Sequence, residues 1–325
     1  MPNFPPRKPN AISGSQVIQK IMSFKTDSPA RSKIILDEFA SGNIPSFLRK
    51  FVPVNIKSGE NEITYFVSPD YMSVGSDSDY VRMSLNGEAS QDLADMFNCV
   101  LPTKKMVDDI HSQAQTKLPP AAMSGGATVS GKHYSGKEFI NEKMQHADSL
   151  EEHNRMIQRQ LARDKNYKPG NLVAGNKKDI IIGDLLAQRP DRVNIYGWHY
   201  ENGKAIQPNS TIHERAYQDY SHAVRLVDRT CIVKVGNSQP VQMDITKVMK
   251  DKALSGLVSH QGPVKFTSYN ELPTKRLSET KPEKVEQEDK KEIQPEQEST
   301  KEQTQPVKVS PKILEILNNF LSKLG

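Results

Sequence analysis

The residues best suited to chemistry lie close together in the chain, within residues 196–225. This stretch contains the only tryptophan, three of the eight histidines and four of the ten tyrosines. Imidazole, carboxylate and phenol groups that cluster beside apolar runs are more typical of an active site than of a surface loop. We therefore predict catalytic roles for a set of titratable side chains: His199, His213, Tyr217, Asp219 and His222.

The residue types leave three interpretations of this set open. Neutral imidazole and carboxylate suit zinc, and a catalytic zinc keeps a position for water, so His213, Asp219 and His222 are candidate zinc ligands. Alternatively, the site works by metal-free acid–base chemistry, in which Asp219 orients a histidine and Tyr217 or Tyr220 donates a proton. In the third interpretation the cluster is structural, with the aromatic rings in the core and Arg225 paired with Asp219.

Neighbouring polar and aromatic residues are candidates for substrate binding. Lys104 and Lys105 begin a predicted helix, where positive charge opposes the helix dipole and therefore requires an acidic neighbour or a ligand. The predicted substrate-binding residues are Trp198, Gln207, Tyr220, Arg225 and Lys105.

The local structure of residues 217–225 decides which of these side chains share a face. In a helix, Asp219 and His222 are three residues apart and lie on the same face. In an extended strand, Asp219, Ser221 and Arg225 line one face, while Tyr220 and His222 line the other. The two conformations build different sites, and the sequence is compatible with both.

Several short motifs occur in a fixed order along the chain: L-P-T-K-K-M-V-D from residue 101, K-K-D-I-I from 177, Y-G-W-H from 196, I-Q-P from 206, a histidine at 213, and Y-x-D-Y-S-H-x-x-R-L-V from 217. In this arrangement the chain resembles a group of uncharacterised bacterial and phage proteins, over roughly residues 40–262. The resemblance implies no activity.

A looser resemblance is to the zinc D-alanyl-D-alanine carboxypeptidases, which use His, Asp and His ligands. It implies His213 and Asp219 as the first two ligands and His260 as the distal one. Five residues separate the first two here, whereas six separate them in that family.

The periodicity of apolar residues predicts an α+β fold with N-terminal helices and a mixed, mainly antiparallel sheet in one domain, over residues 15–272. The predicted helices are 15–21, 29–40, 90–97 (capped by Ser90), 103–114, 138–163 and 241–252. The predicted strands are 62–67, 80–83, 179–182 and 192–196. Residues 224–235 are predicted to form one long strand or a hairpin that turns at Asp228-Arg229.

The ends of the chain have a different composition. Residues 1–14 are rich in proline and are predicted to be a disordered arm, and residues 273–309 a disordered charged linker. Residues 310–325 form a predicted amphipathic docking helix, because one broad face is apolar. The predicted contacts of this helix with a protein partner are Ile313, Leu314, Leu317, Phe320 and Leu321.

Composition excludes several classes of function. The formal net charge is +5 and no Lys/Arg run exceeds two residues, which argues against specific nucleic-acid binding. The chain lacks an apolar run of roughly 18 residues and an apolar signal sequence, so we expect synthesis in the cytoplasm and no transmembrane segment. H-E-x-x-H, C-x-x-C, P-loop and G-x-G-x-x-G motifs are absent.

Two functions are consistent with these features. We expect a hydrolase that acts on a cell-wall or related polymer through the His/Asp/Tyr set, with zinc as a possible cofactor. The alternative is a non-catalytic structural or interaction protein, such as a phage or secretion-system component tethered through its C-terminal helix.

Overall fold

The computed structural model describes residues 2–25 and 27–275, in which helices accompany mainly antiparallel sheets. The predicted α+β class is confirmed. The α-helices of these residues are α1 (Gly14–Ile21), α2 (Pro29–Ala40), α3 (Gly87–Met96), α4 (Lys104–Gln113), α5 (Gly136–Glu138), α6 (Ala147–Arg163), α7 (Leu185–Gln188) and α8 (Ile245–Lys250). A π-helix follows α5 over Phe139–Lys143, and short 3-10 helices cover Ser46–Arg49, Ser255–Leu257 and Tyr269–Glu271.

The strands are short, and two larger sheets contain most of them. They are β1 (Val52–Ser58), β2 (Asn61–Val67), β3 (Ser73–Gly75), β4 (Tyr80–Arg82), β5 (Cys99–Val100), β6 (Thr116–Lys117), β7 (Gly126–Val129), β8 (Lys132–Ser135), β9 (Val173–Ala174), β10 (Lys178–Ile180), β11 (Ile195–His199), β12 (Ala205–Ser210), β13 (His222–Ala223), β14 (Val227–Lys234) and β15 (Val241–Asp244).

The five-stranded sheet has the order β1-β2-β14-β15, with β5 also paired to β14, and all its pairs are antiparallel. The four-stranded sheet has the order β12-β11-β10-β13, in which only β10 and β13 run parallel. The remaining strands of the described residues form three two-stranded ladders: β3-β4, β6-β9 and β7-β8. The four-stranded sheet carries four of the predicted site residues: Trp198, His199, Gln207 and His222.

Local capping explains where the predicted helices begin. The Ser13 side chain and Gln16 form a reciprocal capping box at the start of α1, and Pro29 occupies the first turn of α2. Helix α3 begins three residues before the predicted cap, because the Asn86 side chain accepts the Ala89 amide. The Ser90 hydroxyl instead donates to the Asn86 carbonyl, so the prediction that Ser90 caps this helix was wrong.

Two predicted helices are interrupted in the structure. The predicted helix 138–163 contains a break before α6, where the Met144 carbonyl accepts the Tyr220 amide and His146 is extended. The predicted helix 241–252 begins as strand β15, which pairs with β14, and becomes helical only after Asp244 caps α8 through the Thr246 amide. Residues 217–225 are neither one helix nor one strand, since only β13 is regular there.

The N-terminal residues lie on the body of the protein, so the prediction of a disordered arm was wrong for residues 2–13. Phe4 is only 8% exposed, and its ring centroid lies 4.5 Å from that of Phe97. The Arg7 guanidinium donates to the Asn43 side chain at 2.9 Å. Burial of an aromatic ring offsets the entropy of ordering a short segment.

The largest apolar core connects the five-stranded sheet with the surrounding helices, and both cysteines, Cys99 and Cys231, are free and buried. Among residues 2–25 and 27–275, no helix is long and apolar enough to cross a membrane. The predicted docking helix 310–325, and the predicted linker 273–309 beyond residue 275, lie outside the described residues.

Candidate functional site

The central strand β11 is bulged, and the bulge determines which side chains meet. Its register with β12 shifts between Ile195 and Gly197. Gly197 has φ of +109° and Trp198 has φ of +57°, a conformation uncommon for a bulky residue. A β-bulge re-aims the side chains that follow it. As a result Tyr196 and His199, which would lie on opposite faces of a regular strand, both reach helix α4.

The carboxylate of Asp108 on α4 is the meeting point of several polar groups. Its Oδ1 accepts the Tyr196 hydroxyl at 2.7 Å and lies 3.2 Å from His199 Nε2. Its Oδ2 accepts the Lys104 ammonium at 2.8 Å and lies 3.3 Å from His260 Nε2. Residues from α4, β11 and the loop after residue 257 therefore converge on one carboxylate.

These hydrogen bonds fix the charge on Asp108. Burial alone would raise the pKa of its carboxyl group. Hydrogen bonds from His199, Lys104 and Tyr196 outweigh burial, so the pKa of Asp108 is well below its ordinary value. An ionised carboxylate is only an acceptor, so His199 faces it with a protonated Nε2, and in that tautomer Nδ1 is a proton acceptor.

A second histidine lies beside this pair. The rings of His111 and His199 stack with their centroids 4.7 Å apart. Burial, with the nearby charges of His199 and Lys117, lowers the pKa of His111 to about 4, so this ring is neutral at pH 7. Its Nε2 is buried without a hydrogen-bond partner among the described residues. A polar ligand group or a water would satisfy it.

Both histidines line a cavity of about 490 Å³. This volume falls within the range of small-molecule sites, roughly 300–1,000 Å³. The cavity is lined by Asp108, His111, Ser112, Lys117, Tyr196, His199, Glu201, Asn202 and Gly203. Among these, only His199 belongs to the predicted catalytic set.

The other four predicted catalytic residues form a separate cluster. The rings of His213 and Tyr217 stack in parallel at 3.9 Å, and the Tyr217 hydroxyl donates to Asp219 at 3.1 Å. His222 Nε2 lies 3.8 Å from the Asp219 carboxylate, and both residues are buried. Ser221 donates to Asp219 through its amide and its hydroxyl, at 2.7 and 2.5 Å. The structure therefore brings His213, Tyr217, Asp219 and His222 together but separates them from His199.

The cluster holds one anion and neutral rings. Burial would raise the pKa of Asp219, but its proximity to the His222 ring and the Lys178 ammonium and its hydrogen bonds from Ser221 outweigh burial, so this pKa is lowered. Burial lowers the pKa of His222 to about 4. Within residues 2–25 and 27–275, no group of three or more His, Cys, Asp or Glu side chains is arranged to hold a metal ion. The geometry therefore does not support the predicted zinc ligands His213, Asp219 and His222.

The predicted substrate-binding residues do not line the 490 Å³ cavity. Arg225 is 1% exposed and donates to the carbonyls of Ser68 and Val173, so it is held within the fold. Trp198 and Tyr220 are buried in a shared apolar cluster.

The two remaining predicted substrate-binding residues make other contacts. Gln207 donates to the carbonyl of its neighbour Pro208, and Lys105 pairs with Asp109 at 2.8 Å. The geometry does not support roles for these five residues as direct substrate contacts.

Sequence reasoning missed Asp108 and His111, although a local signal was present. Lys104 and Asp108 are four residues apart on α4, and His111 follows three residues later, so the three share one helix face. The acidic neighbour expected for Lys104 is Asp108 itself. The pairing of His199 with Asp108 spans 91 residues, and no local pattern predicts such a contact.

No family model, no curated protein and no solved structure matches the chain. The resemblance to uncharacterised bacterial and phage proteins therefore stays a prediction.

Proposed function

We propose that the protein is a hydrolase whose active site is the cavity lined by His199, Asp108 and His111. The observation that carries the proposal is the Asp108–His199 pair at 3.2 Å on the wall of a cavity of about 490 Å³. A carboxylate that orients a histidine is a recurrent arrangement for activating water or a nucleophile. The substrate class is a cell-wall or related polymer with acyl bonds.

Three residues of the cavity have separate roles in the hydrolytic step. His199 Nδ1 takes a proton from a water whose oxygen attacks the carbonyl carbon of the substrate, and the imidazolium returns this proton to the leaving nitrogen. The Asp108 carboxylate stabilises the imidazolium through Nε2. Lys117, which also lines the cavity, supplies positive charge for the oxygen that becomes negative during attack.

Turnover of a peptidoglycan suspension by the purified full chain tests this proposal. We expect wild-type protein to clear the suspension, and His199→Ala and Asp108→Asn to reduce the rate by about 100-fold to 10,000-fold, the range for loss of general acid–base catalysis.

Asp109→Asn is the matched control, because the neighbouring carboxylate pairs with Lys105 and does not line the cavity. Its rate should stay near that of wild type. If His213→Ala abolished turnover while His199→Ala did not, the active site would lie in the His213 cluster instead. If wild-type protein left the suspension unchanged, this substrate class would be wrong.

The second candidate function is a non-catalytic interaction protein, for example a component of a phage or secretion system. It is favoured by a second cavity, of about 370 Å³, around which Met22, Phe24 and Ile140 are 36–49% exposed. Exposed large apolar side chains that lie together mark interaction surfaces. The apolar residues of segment 310–325 suggest a further attachment point for a protein partner.

Deletion of residues 305–325 tests this second candidate. We expect the truncated chain to keep its cooperative thermal unfolding and to lose co-purification with a partner captured by the full chain. Loss of the thermal transition would show instead that the segment belongs to the core, and would overturn the docking role.

A further inference from the structure

A buried carboxylate, Asp179, lies near the candidate active site, and the hydrolytic steps above do not use it. It is 2% exposed and is paired across the ladder with Tyr196. The Tyr71 hydroxyl donates to its Oδ2 at 2.8 Å, and the Arg225 guanidinium lies 4.3 Å from the Tyr71 ring. The hydrogen bond from the buried Tyr71 hydroxyl restricts the position of this carboxylate.

Gly197 provides the space between Asp179 and His199. A Cβ atom at position 197 would lie 3.4 Å from Asp179 Oδ2 and 3.4 Å from His199 Cε1. The Asp179 carboxylate and the His199 ring therefore both border the space that a Cβ at position 197 would occupy. Both residues are no more than 2% exposed, so solvent screens their interaction weakly.

We propose that Asp179 is a positioning residue that acts through His199, by placing a second carboxylate against the ring across the space left by Gly197. This inference rests on the proposed role of His199 as the base. Asp108 stabilises the ring at Nε2, while Asp179 faces Cε1 and favours the imidazolium that forms when His199 takes a proton. Burial raises the pKa of Asp179 to about 6, so the carboxylate is mostly ionised at pH 7.

Other charged or titratable groups surround this pair, and they define the background of the test. Those near His199 or its partner Asp108 come from α4, β6, β11 and the loop after residue 257, and those near Asp179 come from the loop before β3 and from the residues between β13 and β14. They are Lys104, Asp108, His111, Lys117, Tyr196, Glu201 (just after β11), His260, Tyr71 and Arg225. None of these residues is altered in Asp179→Asn, so wild type and variant share this background.

The test reads the His199 ring directly. In Asp179→Asn, we expect the pH midpoint of the His199 Cε1–H proton resonance to move down by about one unit, because an unscreened negative charge is removed from the vicinity of the imidazolium. The resonance is assigned by its loss in His199→Gln. Asp191→Asn is the control, because the Asp191 carboxylate is 66% exposed. The pH midpoint of His199 in this variant should match that of wild type.

Tyr71→Phe provides a second, milder variant should Asp179→Asn fail to fold. Loss of the Tyr71 hydroxyl raises the pKa of Asp179 further, so less of this carboxylate is ionised at neutral pH. The pH midpoint of His199 should therefore also move down, but by less than in Asp179→Asn. An unchanged midpoint in a folded variant would overturn the positioning role. A shifted midpoint without clearing of the peptidoglycan suspension would support that role and overturn the proposed hydrolysis of this substrate class, so the two failures are distinguishable.

Discussion

Tyr196 and His199 are three residues apart on one strand, yet their side chains reach the same oxygen of Asp108. In a regular strand an odd separation places two side chains on opposite faces. The left-handed backbone at Gly197 and Trp198 removes this constraint. The geometry of the candidate site therefore depends on a local backbone conformation that L-amino acids adopt at a cost of about 1–3 kcal/mol.

Gly197→Ala should reduce both stability and turnover. A Cβ at φ of +109° is strained, so we expect the free energy of unfolding to fall by about 1–3 kcal/mol, and the displaced bulge should separate Tyr196 from His199. Urea unfolding and clearing of a peptidoglycan suspension measure the two effects. Gly170→Ala is the control: its φ is +94° and no atom lies within 4 Å of its added Cβ, so stability should fall while turnover is kept.

Tyr196→Phe should lower both activity and stability. The variant removes one of the donors to the ionised Asp108 carboxylate, and a hydrogen bond to a charged group contributes about 1.5–3 kcal/mol. If the carboxylate acts as proposed, the rate should fall by about tenfold or more. Tyr200→Phe serves as the comparison, because Tyr200 is 46% exposed. Equal rates for the two variants would remove Tyr196 from the active site.

The buried ion pair of Arg82 and Asp70 should be important for folding. Both residues are at most 1% exposed and their side chains meet at 2.5 Å. Asp70→Asn leaves the guanidinium buried without its counter-charge, which costs about 3–5 kcal/mol. In the exposed pair Lys33–Asp37, the change Asp37→Asn should cost less than about 1 kcal/mol. Chemical unfolding of both variants checks the difference, and similar losses would contradict it.

Sequence reasoning predicted elements that depend on local signals. Helix α4 begins where expected because Thr103 accepts the Met106 amide, and α2 begins at a Ser-Pro pair. It failed where a distant segment competes for the backbone. The predicted helix over residues 138–163 breaks at Met144 because Tyr220, far along the chain, donates to that carbonyl.

The candidate site also has one part that follows from nearby sequence and one part that depends on distant segments. His213, Tyr217, Asp219 and His222 are near one another in sequence, and the structure groups them. His199 is also close in sequence, but it belongs to the other site. The positive φ values at Gly197 and Trp198 redirect it toward Asp108, and neither the bulge nor its partner follows from a periodic pattern.

Stability should depend on pH through the buried histidines. Burial lowers the pKa of His222 to about 4 in the folded protein, against about 6.5 in an unfolded chain. The unfolded chain therefore binds a proton that folded His222 excludes. The free energy of unfolding should be highest above about pH 6.5 and should fall as the pH decreases toward 4, by up to about 3 kcal/mol for this residue. His111 and His153, whose pKa values burial also lowers, act in the same direction.

His222→Phe isolates the contribution of this one residue, because phenylalanine fills a similar volume and does not titrate. Urea unfolding of wild type and variant at intervals from pH 7 to pH 4 should give a shallower pH dependence for the variant, while its stability at pH 7 depends on how well the ring packs. His133→Gln, in the exposed β7–β8 hairpin, should retain the wild-type dependence. If His222→Phe and wild type lost stability in parallel, folded His222 would take up a proton as readily as the unfolded chain does. The neutral state assigned to the ring beside Asp219 would then be wrong.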